Sequence, residues 1–158
     1  MTDCTKGATW SIWVKLGHPL SICEILHNYS AGRSTGIALV SRHGQGLGYY
    51  FSVYATSTRK WYLNDFGKNV DPFKWTHITL TFHKDHGICA YINGNHIACG
   101  NSNSASSIKA SKMNFQIGYN WSSGRRCHLY ADDFAVWRSV LTEKAVRQLY
   151  EETKLRIQ

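Results

Sequence analysis

Apolar and polar residues alternate with a period of two along most of the chain before residue 139. The pattern is clearest in residues 75–83, whose two faces carry different residues. Thr76, Ile78, Leu80 and Phe82 would face a core, and His77, Thr79, Thr81 and His83 would face outward. Further predicted strands cover residues 10–14, 22–26, 37–40, 49–55, 61–63, 88–92, 113–119 and 129–138. Such short alternating runs, separated by turn residues, predict an all-β antiparallel fold.

A helix is predicted directly after the last strand, at about residues 142–152. Thr142 can cap it by accepting a hydrogen bond from a first-turn N–H, and Glu143 suits the positive end of the helix dipole. Leu141 and Val146 have the spacing of a hydrophobic staple. Together with Leu149 and Tyr150, Val146 gives the helix one apolar side, and we expect the helix to lie outside the two sheets.

Asn93-Gly94 is the strongest hairpin signal, because both residues tolerate the positive φ of a type I′ turn. Cys89 and Cys99 lie on either side of it. A two-residue loop places Cys89 opposite Ala98, so a Cys89–Cys99 disulfide requires a three-residue loop or a β-bulge. Cys23 and Cys127 can instead reach across from other strands, and the pairing stays open.

Two motifs resemble the laminin-G-like, pentraxin-like branch of the concanavalin A-type jelly rolls. One is the Asp132–Trp137 strand followed by the Leu141–Tyr150 segment, and the other is the Trp75–Phe82 strand followed by Ala90–Gly94. The resemblance covers about residues 10–150. It implies a two-sheet antiparallel jelly-roll sandwich with a short C-terminal helix, used for recognition and not for catalysis. We expect residues 1–9 to be an N-terminal segment, residues 10–158 to form the domain, and the chain to be part of a longer precursor.

Composition limits the functional classes. The 158 residues are 43% hydrophobic and 18% charged, with a net charge of +8, which predicts one globular domain that favours acidic partners. No apolar run approaches a membrane helix, and no nucleic-acid motif accompanies the dispersed basic residues. Five cysteines and the sequons at Asn28 and Asn120 favour an extracellular setting, secreted or in the ectodomain of a membrane protein.

The carboxylates do not have the pattern of an enzyme. The chain has four glutamates, and three of them, Glu143, Glu151 and Glu152, lie on the predicted helix. Asp132 and Asp133 are neighbours on a strand and would point to opposite faces, so they cannot form a glycosidase pair. Asp132 occupies the position of a calcium ligand in related domains, but the chain lacks the dense acidic cluster that such a site needs. A hydrogen-bonded structural role for Asp132 and no cofactor are therefore favoured.

Aromatic and polar residues supply the candidate ligand site. Aromatic rings stack on sugar faces, and His and Arg donate hydrogen bonds. The candidates are Trp121, Arg125, Arg126, His77, His83, Tyr54 and Trp61. Trp121 sits with Arg125 and Arg126 in a polar loop, where a glycan on Asn120 would compete with a ligand. Three other tryptophans are predicted to be core: Trp10, Trp75 and Trp137. The sequence thus predicts a module that binds glycans or sulphated polysaccharides, or alternatively a protein–protein interaction or adhesion domain.

Overall fold

The computed structural model describes residues 7–18, 22–28, 36–56, 59–83, 86–100, 114–120 and 125–157. Its strands in chain order are β1 (Gly7–Leu16), β2 (Cys23–His27), β3 (Gly36–Ser41), β4 (Tyr49–Thr56), β5 (Arg59–Phe66), β6 (Thr76–His83), β7 (Gly87–Ile92), β8 (Asn95–Gly100), β9 (Gln116–Ile117), β10 (Tyr119–Asn120), β11 (Arg125–Arg126) and β12 (Leu129–Trp137). A 3₁₀ turn lies at His43–Gln45, and helix α1 spans Glu143–Ile157.

The strands form two five-stranded antiparallel sheets. The first sheet has the order β12-β1-β6-β7-β8, and the second has the order β5-β4-β3-β2-β9. The β10–β11 hairpin pairs separately. This arrangement confirms the predicted jelly-roll sandwich. Within the part of the chain described, no helix has the length and apolar character needed to cross a bilayer.

The core lies between the two sheets. Trp10 is buried and packs on Phe51 of the second sheet, with 5.7 Å between the ring centroids. Both sheets contribute large apolar side chains that are almost fully buried, among them Ile12, Leu26, Leu39, Ile78, Leu80 and Phe82. Because apolar burial provides most of the folding free energy, the alternation seen in the sequence is what holds the sandwich together.

The outer face of the first sheet is also buried, because the terminal segment lies across it. Thr9 donates a hydrogen bond to the carbonyl of Ser139 (2.8 Å) and accepts one from the amide of Leu141 (2.9 Å). The indole N–H of Trp13 donates to the hydroxyl of Thr153 at 2.8 Å. Strands β1 and β6 are therefore covered on both faces, one by the second sheet and the other by α1.

Helix α1 starts as predicted and extends five residues further. The amide of Ala145 donates to the Thr142 hydroxyl at 3.3 Å, which confirms the cap. The helix reaches Ile157, and its last turns are held to the first sheet by the buried Thr153, which accepts from the indole of Trp13 and donates to the carbonyl of Leu149 at 2.8 Å. The predicted helix ended too early because the prediction relied on apolar spacing, whereas a polar residue holds the last turns.

The Asn93-Gly94 turn confirms the predicted hairpin, and the register beyond it resolves the cysteine pairing. Asn93 and Gly94 have φ values of 50° and 76°. Ile92 pairs with Asn95 across a two-residue loop, but the register shifts farther along, so that Cys89 lies opposite Cys99. The two form a disulfide with 4.0 Å between their Cα atoms. Of the two alternatives, the β-bulge is the one realised.

His77 lies in the polar layer beneath α1. Its Nε2 is 2.7 Å from the Ser11 hydroxyl, and its ring packs beside the stacked pair of Trp13 and Tyr150, with centroid distances of 5.1 and 5.9 Å. The residue is 1% exposed, and its Nδ1 has no hydrogen-bond partner. Burial lowers the pKa of His77 from 6.5 to about 4, because the imidazolium would lose its hydration there. The ring is therefore neutral in the folded domain at physiological pH.

This burial predicts acid sensitivity between pH 6.5 and about 4. In that window the unfolded state binds a proton at His77 and the folded state does not, so stability falls as pH decreases. Relative to His77→Gln, the wild-type free energy of unfolding should fall by up to about 3 kcal/mol between pH 7 and pH 4. Urea unfolding at several pH values measures this difference. A constant difference between the two proteins across the range would contradict it.

Candidate functional site

The sheet edge formed by β9 continues into a hairpin that leaves the sheet. His27 pairs with Gln116 and Leu26 with Ile117, which makes β9 an edge strand of the second sheet. Gly118 then turns the chain with a φ of 70°, and its amide donates to the carbonyl of Ile25 at 3.0 Å. The left-handed conformation suits glycine, which has no Cβ to clash. The chain enters the β10–β11 hairpin directly after this turn.

A concave site of about 550 Å³ opens at this edge. We call it the rim site, and it is lined by Gln116, Ile117, Gly118, Tyr119 and Arg126. Tyr119 and Arg126 face each other across the hairpin as a cross-strand pair. The site therefore brings together an amide, a phenol and a guanidinium in one concavity.

A buried histidine and a buried glutamate lie behind Gln116. Its Oε1 is 3.0 Å from Nε2 of His27, and Nδ1 of His27 is 3.3 Å from a carboxylate oxygen of Glu24. Glu24 and His27 are both almost fully buried, whereas Gln116 is exposed. The His27 ring also lies 6.5 Å from that of Tyr119. The bond between His27 and Gln116 therefore anchors the exposed Gln116 side chain to a buried residue beside the rim site.

The described lining of the rim site carries one positive charge, that of Arg126. None of its lining residues is a carboxylate, and Arg126 makes no ion pair within the described residues. A free guanidinium offers several N–H donors in a planar fork that matches carboxylate and sulphate oxygens. The Tyr119 ring supplies a flat apolar face beside it. The arrangement can bind an anionic polar ligand.

A disulfide fixes the base of the hairpin. Cys127 follows β11 directly, and its amide donates to the carbonyl of Gly118 at 2.7 Å. Its side chain is bonded to Cys23 of β2, with 5.5 Å between the Cα atoms. The link joins the segment that carries Arg126 to the second sheet, so the position of Arg126 depends on it.

The residues named from the sequence do not form one site. Arg126 lines the rim site. Trp121 lies outside the described residues, and so do the side chains of Tyr54, Trp61, Asn120 and Arg125. The assignment of His77 to a ligand surface is wrong, because α1 covers it and leaves 1% of it exposed. Alternation identified its face of the strand but not the helix that covers that face.

Strand geometry separates the other candidates from the rim site. Gly7 pairs with His83 at one end of β1, and Leu16 pairs with Leu129, three residues after Arg126, at the other end. A ten-residue strand spans about 30 Å, so His83 lies far from the rim site. The backbones of Tyr54 and Trp61 belong to β4 and β5, at the edge of the second sheet opposite to β9.

Asp132 supports its own strand. Its Oδ1 accepts a hydrogen bond from the amide of Asp133 at 2.7 Å, where Asp133 adopts a φ of 46° and the pairing with β1 shifts register. This hydrogen bond joins two residues of β12. Because of the register shift, strict alternation of Asp132 and Asp133 does not apply. Calcium binding at Asp132 stays a hypothesis that is not favoured.

The structure also describes one cluster of possible metal ligands and the asparagine side chain of one of the two glycosylation sequons. Among the described residues, Cys89, His96 and Cys99 form the one cluster with metal-ligand spacing, but its two sulphurs are already joined in a disulfide. Asn28 is half-buried, and its Oδ1 accepts a hydrogen bond from the amide of Ile37 at 2.8 Å. Glycosylation at Asn28 and at Asn120 stays a prediction.

Sequence reasoning missed Gln116, Ile117, Gly118 and Tyr119 as site residues. They were assigned to a continuous strand at residues 113–119, although Gly118 interrupts it. The isoleucine-glycine pair was the available signal, because a glycine inside an alternating run often marks a bend.

The fold and the rim site can now be compared with known proteins. Residues 1–147 match the family Laminin_G_3, described as the Concanavalin A-like lectin/glucanases superfamily. The chain belongs to this family. No curated protein sequence matches the laminin-G-like chain.

Solved structures share the fold of this laminin-G-like domain at low sequence identity. The receptor-binding domain of botulinum neurotoxin D is similar with a TM-score of 0.76 and 18% identity, covering 99% of this chain and 39% of that chain. The binding domain of botulinum neurotoxin DC in complex with SialylT is similar with a TM-score of 0.73 and 12% identity, covering 94% and 36%. The laminin-G-like chain spans less than two fifths of these chains. At such identities the similarity shows the fold alone.

The two disulfides predict different losses of stability. The Cys23–Cys127 link closes a loop of 104 residues and the Cys89–Cys99 link one of 10. From loop-closure entropy, Cys23→Ala with Cys127→Ala should cost about 5 kcal/mol and Cys89→Ala with Cys99→Ala about 3 kcal/mol. Denaturant unfolding measures both values. An equal or greater loss in the Cys89/Cys99 variant would show that the longer link does not constrain the fold.

Proposed function

We propose that this domain is a non-catalytic extracellular recognition module that binds acidic glycans or sulphated polysaccharides at the rim site. The observation that carries the proposal is the pairing of Tyr119 with Arg126 over the concavity that Gln116 also lines. An aromatic face, an amide and a guanidinium without an acidic partner are what an anionic sugar needs.

The net charge of the chain supports an acidic ligand. A charge of +8 raises the local concentration of polyanions around the domain, and Arg126 then provides a specific contact. Arg125 precedes Arg126 on β11, and Trp121 lies in the sequence between the two strands of the hairpin. We expect both to extend the rim site.

Comparisons support recognition as the general role. The family includes lectins, one of the fold relatives is a receptor-binding domain, and another was solved in complex with SialylT. We transfer only the general role of binding, because the relatives are much longer and differ in most residues.

Two disulfides support an extracellular location. Cys23–Cys127 and Cys89–Cys99 are both formed, and disulfides persist in oxidising compartments. The sequons at Asn28 and Asn120 agree with this location, since N-glycosylation occurs on secreted and surface proteins.

A protein ligand is the alternative function. It is favoured by Ile117, which is 42% exposed within the rim site. An exposed isoleucine contributes more to a protein interface than to contact with a polar sugar, because interface centres are depleted of charge and enriched in apolar area. In this case the domain would serve adhesion or protein–protein interaction in a larger ectodomain.

Variants of Arg126 test the glycan proposal. Arg126→Gln should weaken binding of a heparin octasaccharide about tenfold, because one charge-assisted contact is lost. Arg147→Gln is the matched control, since Arg147 is an exposed arginine on α1 outside the rim site. Isothermal titration calorimetry measures both affinities. Equal affinity for the two variants would exclude Arg126 from the contact, and Ile117→Ser would then test a protein ligand.

Salt and chelator distinguish the kind of glycan site. Binding of the octasaccharide should fall steeply when the salt concentration rises from about 0.1 M to about 1 M, where the screening length shrinks from about 10 Å to about 3 Å. We expect addition of a calcium chelator to leave the affinity unchanged, because the lining residues carry no carboxylate. Binding that disappears with the chelator and resists salt would instead support a calcium site.

A further inference from the structure

A row of partly exposed aromatic and basic side chains lies beside the last turns of α1. Lys15 on β1 pairs with Tyr130 on β12, and Trp75 directly precedes Thr76, which pairs with Val14. The Lys15 ammonium lies 4.7 Å from the ring centroid of Tyr130 and 5.2 Å from that of Trp75. Tyr130 is 48% exposed. Three adjacent positions of the first sheet thus present a lysine held between two aromatic rings.

Trp75 also lines a groove between the first sheet and α1. The groove measures about 290 Å³, and its lining residues are Trp13, Trp75, Asn93, Tyr150, Lys154 and Ile157. Lys154 reaches over the Tyr150 ring, with its ammonium 5.4 Å from the centroid. Tyr150 in turn stacks on Trp13 at 5.7 Å. We call the row and this groove together the helix groove.

The two lysines of the helix groove have no acidic partner. In the part of the chain that the structure describes, neither Lys15 nor Lys154 lies within ion-pair distance of a carboxylate. Acids at neighbouring positions have other contacts. Asp132, which pairs with Trp13, accepts a hydrogen bond from the Asp133 amide at 2.7 Å, Asp133 lies 3.8 Å from Arg156, and Asp71 lies 3.9 Å from Lys74. Cation–π contacts hold the two ammonium groups over rings without neutralising their charge.

We propose that the helix groove is a second binding site of this domain, for a saccharide that carries carboxylate or sulphate groups. The anionic groups pair with Lys15 and Lys154, and a sugar ring stacks on Trp75. Rings supply the flat apolar face that sugar C–H groups contact, and the lysines supply the charge complementarity. The proposal shares its ligand class with the rim site but uses none of its residues, so either site can fail without the other.

The indole N–H resonance of Trp75 provides a direct readout. It is assigned by its absence in Trp75→Phe and followed during titration with hyaluronan, heparin and chitin hexasaccharides. Hyaluronan carries carboxylates, heparin adds sulphates, and chitin is neutral. We expect the resonance to shift with hyaluronan or heparin and not with chitin. A response to hyaluronan identifies the carboxylate as sufficient, and a response to heparin alone identifies the sulphate.

Charge-matched double variants distinguish specific binding in the helix groove from non-specific electrostatic attraction of the saccharide to the basic domain. Lys15→Gln with Lys154→Gln should weaken the binding seen at Trp75 by about tenfold or more, since two charge-assisted contacts are lost. Lys68→Gln with Lys144→Gln removes the same charge from exposed positions outside the groove, and should change the affinity less than about twofold because surface charges are screened. Arg126→Gln should leave the Trp75 response intact, whatever it does at the rim site.

Four outcomes would overturn the proposal. They are an unchanged Trp75 resonance with both acidic hexasaccharides, an equal response to chitin, an equal loss of affinity in the two double variants, and loss of the Trp75 response in Arg126→Gln. Vesicles containing phosphatidylserine serve as a further probe. A Trp75 response to vesicles without any response to the free saccharides would assign the groove to a membrane surface and contradict a saccharide site.

Discussion

The disulfide between Cys23 and Cys127 is the constraint on which the functional surfaces of this domain depend. Cys23 is buried at the start of β2 in the second sheet, and Cys127 lies one residue after β11 and two before β12 of the first sheet. The link therefore holds the two sheets together where the chain passes between them. Arg126 of the rim site lies directly before Cys127, and Tyr130 of the helix groove lies three residues after Cys127. The bond thus anchors the hairpin of the rim site and the approach to β12, whose pairing with β1 then places Tyr130 beside Lys15.

Helix α1 determines which part of the first sheet is available to a ligand. It buries a polar layer that includes Thr9, Ser11 and His77. Thr9 bonds to the terminal segment and Ser11 bonds to His77, whereas Nδ1 of His77 is buried without a partner, which costs stability. At its C-terminal end the helix stops short of Lys15 and Tyr130. Helix α1 therefore covers one part of the first sheet and leaves the edge that carries Lys15 and Tyr130 exposed. Binding residues tend to lie on surface loops and exposed edges, because a covered sheet face is not accessible to a ligand.

Local patterns in the sequence predicted the fold, and long-range contacts decided the sites. Alternation located the strands, and Thr142 located the start of the helix, because both depend on neighbouring residues. His77 was assigned to an open surface and Trp75 to the core, since alternation does not reveal which element covers a face. The pairing of Cys89 with Cys99 required a bulge whose position no local signal gives. The rim site depends on β9 pairing with β2, some ninety residues earlier in the chain.

The central claim is that the rim site contacts an acidic saccharide. Backbone amide and arginine side-chain resonances of the ¹⁵N-labelled domain, recorded while a heparin hexasaccharide is added, test it most directly. Our account predicts that the strongest rim perturbations fall on Gln116, Gly118 and Tyr119 and on the Nε–H of Arg126. Perturbations that spare these groups and cluster on β4 and β5, at the opposite edge of the second sheet, would contradict it.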